Sequence, residues 1–201
     1  MIKTWSQYKY YVKADLFRIT GEITWRCFIK TLRYDCGFRY CFWMRTCNYL
    51  ATVRRIRFFL LPFARYFHSQ YTFKYGISIP YTTHIGYGFY IGHFGGIVIN
   101  KNCVIGNNCN ISQGVTLGQT NRGAKKGTPV IGDRVYIGPG AVVIGNIKVG
   151  NNVAIGANCV VTKDVPDNGV VVGIPRKVIS YLGSVDYINR TEYDPQIMTT
   201  D

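Results

Sequence analysis

The stretch Ile131-Gly-Asp-Arg-Val-Tyr-Ile137-Gly-Pro-Gly-Ala-Val-Val143-Ile-Gly-Asn-Ile-Lys-Val149-Gly-Asn-Asn-Val-Ala-Ile155-Gly-Ala-Asn-Cys-Val-Val161 decides the fold, because an aliphatic residue returns at every sixth position. The same interval runs upstream through Ile99, Ile105, Ile111 and Leu117. Two residues out of phase, it runs through Ile79, Ile85, Ile91 and Ile97. Glycine often follows the aliphatic, at Gly86, Gly92, Gly106, Gly118, Gly132, Gly138, Gly150 and Gly156. Small or β-branched residues hold the fifth place: Cys103, Cys109, Val115, Val135, Ala141, Val153, Cys159 and Val165.

A six-residue interval fits neither a helix, with its period of 3.6, nor a long strand, with its period of two. It fits a prism of short strands with a corner after each. The aliphatic of each hexad points into a narrow interior, and each coil pairs its backbone with the coils on either side. Glycine and asparagine are expected at the corners, where the chain often needs positive φ. The coil is interrupted at Gln119-Thr-Asn-Arg-Gly-Ala-Lys-Lys-Gly-Thr128, ahead of Pro129. That polar, glycine-rich, basic segment reads as an extruded loop, a common seat of binding function.

Residues 1–75 lack the hexad. They are rich in Tyr, Phe, Trp and Arg, and apolar residues at mixed spacings of three and four predict helices near 4–19, 22–34 and 40–70. The expected organisation is therefore a helical, basic, aromatic region at 1–75, a coil at 76–182 carrying loop 119–128, and a tail at 183–201. The tail has no core signal and is expected to be loose.

The chain carries 24 Lys and Arg against 10 Asp and Glu, a net charge of +14. Residues 1–75 hold 14 of the basic and 3 of the acidic side chains, so most of the surplus lies outside the coil. Such a surplus attracts phosphates, anionic lipid or nucleic acid. With 47% hydrophobic and 17% charged residues, the chain builds a packed core rather than a disordered ensemble. The seven cysteines form no C-x-x-C pair, and no apolar leader follows Met1. A reduced, cytoplasmic setting is expected, with the thiols acting as packing groups. No apolar run reaches the roughly 18 residues of a membrane span.

Four segments carry a resemblance: Ile85-Gly-Tyr-Gly-Phe-Tyr-Ile-Gly-His93-Phe-Gly-Gly-Ile-Val-Ile, Asn110-Ile-Ser-Gln-Gly-Val-Thr-Leu-Gly118, Ile155-Gly-Ala-Asn-Cys-Val-Val-Thr-Lys-Asp-Val-Pro166 and Gly173-Ile-Pro-Arg-Lys177. Together, residues 75–182 resemble the serine acetyltransferase branch of the hexapeptide-repeat acyltransferases. The segments Ala14-Asp-Leu-Phe-Arg18 and Gly37-Phe-Arg-Tyr-Cys-Phe-Trp-Met-Arg45 are similar to shorter members from surface-polysaccharide clusters. The resemblance implies a left-handed parallel β-helix. It also implies a homotrimer with sites between neighbouring prisms and acetyl-CoA along the groove, and it leaves a dimer of trimers open. No metal is expected.

Acetyl transfer from a thioester to a hydroxyl needs a base, donors for the oxyanion and a seat for the pantetheine arm. His93 is the candidate base: an unperturbed imidazole titrates near pH 6.5, and a general base typically contributes about 10²–10⁴-fold. Gly92 and the Phe94-Gly95-Gly96 run leave room for substrate and expose backbone N–H groups. The family pairs this histidine with an aspartate fifteen residues upstream, where this chain has Ser78. It carries another aspartate just before the histidine, where this chain has Gly92. It places an Arg-His pair before a proline, where this chain has Gly127-Thr128. The three departures lie on the acceptor side and favour a neutral acceptor, a sugar of a surface polysaccharide or its precursor, over free serine. On the cofactor side, the resemblance puts Gly138 and Ala157 on the pantetheine arm and Thr162 and Lys163 near the nucleotide. It brings Arg176 and Lys177 to the CoA phosphates, which cations of this kind suit. Arg122, Lys125 and Lys126 of the loop are candidates to extend that site. His68 and His84 are expected to be non-catalytic.

Other readings compete. Serine O-acetylation is the alternative within the class. A zinc hydro-lyase on the same prism would need three converging histidines, and the three here do not repeat by coils. A non-catalytic scaffold or anion binder follows from charge alone. Nucleic acid is not expected, since no nucleic-acid motif appears. The basic aromatic residues 1–75 fit a peripheral contact with an anionic membrane, at its inner face.

Overall fold

The computed structural model describes residues 1–53 and 57–193. Four helices come first: α1 (Trp5–Thr20), α2 (Trp25–Tyr34), α3 (Cys36–Leu50) and α4 (Arg57–Tyr75). Each of the first three starts on a side-chain cap that satisfies an N–H orphaned at the helix start. Thr4 accepts from the N–H of Gln7, Thr24 from Cys27 and Asp35 from Phe38. The expected helix at 40–70 is in fact two. The chain turns after Leu50, where the Thr52 hydroxyl donates to the Tyr49 carbonyl, and α4 packs back on α3. Both helices are apolar on more than one face, so no change of period marked the break; residues 54–56 of that segment lie outside the described residues.

Short strands follow on three faces. The first holds β1 (Ile77–Ser78), β4 (Ile97–Ile99), β7 (Thr116–Gly118), β10 (Val142–Ile144) and β13 (Val160–Val161). The second holds β2 (His84–Ile85), β5 (Val104–Ile105), β8 (Val130–Ile131) and β11 (Lys148–Val149). The third holds β3 (Tyr90–Ile91), β6 (Asn110–Ile111), β9 (Tyr136–Ile137), β12 (Ala154–Ile155), β14 (Val170–Val172) and β15 (Lys177–Ser180). All neighbours pair in parallel except β14 with β15. This is the expected parallel β-helix with N-terminal helices. Every aliphatic of the hexad series is buried, from Ile79 through Val161.

Corner asparagines and Gly88, Gly114 and Gly140 take the expected positive φ, but the glycines directly after each aliphatic do a different job. Gly106, Gly132 and Gly138 are not in the positive-φ region. A Cβ on Gly132 would lie 2.7 Å from the Gly150 carbonyl oxygen, so glycine is required by the close stacking of coils. Positive φ falls two residues later, on Asn108, Arg134, Asn152, Asn158 and Asn168, where the corner turns.

The helices join the coil through a polar seam. Arg45 holds Asp15 at 3.0 Å and donates to the carbonyls of Ile85, at 2.6 Å, and Gly86, at 2.5 Å. Asp15 also accepts the N–H of Phe89, at 2.9 Å. Burial raises the Asp15 pKa, while Arg45 and the Phe89 and Gly88 N–H groups pull it back. The tail is not loose over its described part. Ser184 is buried and bonds the Arg134 carbonyl, Tyr187 stacks on Tyr136, and Tyr193 donates to Asn108 at 2.6 Å. Arg18 ties Asn110 to the Asn189 carbonyl, and Arg190 returns to the Ile19 carbonyl. These contacts are single hydrogen bonds and one ring stack, without a repeat, so hydrophobic patterning gave no sign of them. Residues 194–201 lie outside the described residues.

Candidate active site

His93 stands on the corner between β3 and β4. Ile91 pairs with Ile111 and Val98 with Thr116, so this corner spans seven positions where the next spans five. The two extra residues are the phase slip seen in the sequence. The His93 side chain is exposed and bonds no other described residue. The N–H groups of residues 93–96 likewise donate to no backbone oxygen among the described residues. The corner therefore offers an imidazole and free donors side by side.

One edge of the prism runs from this corner. The Gly114 N–H donates to Gly95 at 2.8 Å, Gly140 to Gln113 at 2.9 Å, and Asn158 to Pro139 at 2.8 Å. Gly96, Gly114 and Gly140 all have positive φ, and a Cβ on Gly114 would come 3.3 Å from the Gly140 Cα. Gly138 and Ala157 sit on this same edge, a Cβ on Gly138 falling 2.9 Å from the Ala157 nitrogen. At about 4.8 Å per coil, three coils separate the His93 corner from Ala157 by roughly 14 Å.

Across the first face, on the edge that follows β13, lies a cationic cluster. The Val160 N–H donates to Gly173 and the Arg176 N–H to Val160, each at 3.1 Å, which draws the 173–176 turn against β13. Thr162, Lys163 and Lys177 are exposed beside it. Asp164, which sequence reasoning missed, organises this end. It accepts the Lys148 N–H at 3.1 Å and Lys125 at 3.2 Å, and its carbonyl binds the Arg176 guanidinium. The Lys148 N–H and the Lys125 ammonium hold its carboxyl below the usual range. Its signal in the sequence was an acid among Lys125, Lys126, Lys148, Lys163, Arg176 and Lys177, a signal that Asp133 and Asp167 share. Loop 119–128 folds back over the coil, with Thr120 and Gly127 exchanging backbone bonds at 3.0 and 2.9 Å and Asn146 donating to the Lys125 carbonyl at 2.8 Å. Arg122 and Lys126 remain at its exposed rim.

On the acceptor side, Gly92 is tied by its N–H to Ile111 at 3.0 Å. Ser78 is exposed on β1, paired with Val98, and does not bond His93. His68 is buried in α4, and burial pushes it down to about 4; His84 lies outward on β2 and is lowered by burial, the amino terminus and Arg45. Burial pushes the Cys47 and Cys109 thiols up to about 12, as packing groups rather than nucleophiles. Among the described residues no three His, Cys, Asp or Glu are grouped to hold a metal, and no helix is long and apolar enough to cross a membrane.

The family model described as bacterial transferase hexapeptide (six repeats) matches residues 128–163. A serine acetyltransferase of Staphylococcus aureus is 48% identical over 108 residues, covering 54% of this chain and 51% of that protein. The crystal structure of serine acetyltransferase from Neisseria gonorrhoeae in complex with serine aligns with a TM-score of 0.71 and 33% identity, covering 88% of this chain and 70% of that one. A serine acetyltransferase in complex with CoA aligns with a TM-score of 0.67 and 30% identity, covering 87% of this chain and 69% of that one. The chain spans about half the length of the curated relatives it matches. The structural coverage takes in the helices as well as the coil. These matches favour serine, the alternative acceptor, over the sugar hydroxyl preferred from the sequence.

Proposed function

As the chain belongs to the hexapeptide-repeat transferases, we propose that it moves an acetyl group from acetyl-CoA to an acceptor hydroxyl, with His93 as general base. The observation that carries this reading is the exposed His93 corner with its free N–H groups, at the head of an edge that stacks through Gly138 to Ala157, together with the Lys125, Lys163 and Arg176 cluster across the first face, on the edge that follows β13. The cationic cluster suits the phosphates of CoA, and the stacked backbone of the His93 edge suits an extended pantetheine arm. Imidazole takes the hydroxyl proton as the oxygen attacks the thioester carbon. The free N–H groups at 93–96 receive the oxyanion, and the imidazolium returns its proton to the departing sulfur. A homotrimer, with the edge facing a neighbouring prism, would complete the groove.

Serine is the first acceptor to assay, since the relatives and structural neighbours are serine acetyltransferases. A neutral sugar hydroxyl is the second, favoured by Ser78, Gly92 and Gly127-Thr128, none of which pairs with a carboxylate or ammonium. The exposed Phe59, Phe63 and Tyr66 of α4, in a region with a cationic surplus, support a peripheral contact with an anionic membrane face. Thiol release from acetyl-CoA over a panel of serine, monosaccharides and nucleotide sugars tests the acceptor. His93→Ala should abolish transfer, by at least about 10²-fold, while CoA binding by calorimetry stays within a few-fold. Transfer at the parental rate would remove His93 as the base.

A further inference from the structure

The His93 corner is the longest on its edge, and no side chain among the described residues holds the imidazole. Gly95, at φ +105°, has open space on the side where a Cβ would point, and among the described residues the next coil holds the corner through the Gly114 N–H alone. Further support comes from the helices. On the near side, a Cβ on Gly37 of α3 would run into the Ile91 carbonyl oxygen, so the helix backbone lies directly on β3 two residues before His93. On the far side stands Tyr75, the last residue of α4, 4% exposed, its ring centroid 5.6 Å from that of Phe94. Gly76, next in the chain, packs on the corner: a Cβ there would lie 3.3 Å from the Gly96 nitrogen.

Tyr75 is itself fixed from α2 and α3. Arg39 donates to its hydroxyl at 2.6 Å, to the Leu32 carbonyl at 2.6 Å and to the Arg33 carbonyl. Those carbonyls close the end of α2, where orphaned acceptors are available. The Tyr71 ring stacks on Tyr75 at 5.3 Å, with the Arg39 guanidinium 5.6 Å from the Tyr71 centroid. The result is a continuous path of contacts: α2 carbonyls, Arg39, Tyr75, Phe94, His93.

We propose that Tyr75 is a positioning residue that holds the His93 corner in place for proton transfer through the Tyr75–Phe94 ring contact. This makes the helical region a part of the catalytic apparatus, although it supplies no reacting group. It rests on the reading of His93 as the base. A misplacement of about 1 Å at a reacting group can cost on the order of 10²-fold in rate.

The test compares Tyr75→Leu with Tyr75→Phe in the full chain, with kcat and the KM for acetyl-CoA as one readout. The other is the imidazole carbon-bound proton resonance of His93 in the ligand-free protein, assigned by its loss in His93→Ala. Tyr75→Leu should lower kcat at least about 10-fold with the acetyl-CoA KM within about two-fold, and should shift or broaden the His93 resonance. Tyr75→Phe keeps the ring against Phe94 and should retain most of kcat. If Tyr75→Leu fails to fold, Phe94→Leu removes the same contact from the exposed side, Phe94 being 53% exposed, and the same two readouts apply. A folded variant with parental kcat and an unchanged His93 resonance overturns the proposal. The resonance separates the two ideas: transfer persisting in His93→Ala defeats the base, whereas an unmoved resonance defeats the positioning.

Discussion

Inside the prism, Ile131, Val149, Ile105 and their kin stack on like residues one coil away, whereas at the seam Asp15, Arg45, Arg18 and Asn110 meet partners 30 to 171 residues distant. The prism interior is held by dispersion and exclusion of water, forces that need only the right size at each repeat. The seam is held by directed bonds, each depending on one particular partner. Damage in the first region should therefore stay local, as nearest-neighbour solenoids predict, and damage in the second should release the helices as a body. All three tryptophans, Trp5, Trp25 and Trp43, lie in the helices, so their fluorescence reports the second region alone.

Asp15→Ala is expected to have the largest effect, because it strands the buried Arg45 guanidinium. Breaking a buried pair from one side typically costs about 3–5 kcal/mol. Urea unfolding followed by tryptophan fluorescence should show that loss, and a change under about 1 kcal/mol would erase the distinction between the regions. Ile137→Ala comes next, at about 3 kcal/mol for a fully buried isoleucine with little room for the coil to collapse. Here far-ultraviolet circular dichroism should register the loss while the tryptophan transition moves less. Equal shifts in both signals would mean that coil and helices unfold as one unit.

The same contrast explains what was legible beforehand. Every aliphatic of the hexad series lies in the core, because periodicity encodes an interior that repeats. Gly138 and Ala157 were named from the family resemblance, and their place on the His93 edge follows from the stacking of coils. The break between α3 and α4 could not, since Trp43, Leu50, Phe63 and Phe67 are as apolar on one side of it as on the other. Nor could Asp164, Arg39 and Tyr75: each acts through a partner chosen by three-dimensional approach rather than by spacing. The asparagines have the corner role read from the sequence, whereas Gly132 and Gly138 are needed for their missing side chain rather than their φ.

Acid should distinguish the regions most gently. The prism interior holds no acid or base except thiols, but His68 is buried beside Tyr40, at 5.0 Å, with its Nε2 unbonded. Burial, opposed by a backbone contact from Ile79, pushes its pKa down to about 4. An unfolded chain takes up this proton near pH 6.5, and the folded one refuses it until about pH 4. Between those values the unfolded state holds the extra proton, so stability falls as pH falls, by up to about 1.4 kcal/mol per pH unit, and above pH 6.5 this group contributes no slope. The loss should appear first in tryptophan fluorescence, since His68 sits on α4. His68→Gln should flatten the slope between pH 6.5 and 4, and a variant that kept the full slope would move the acid sensitivity away from the helices.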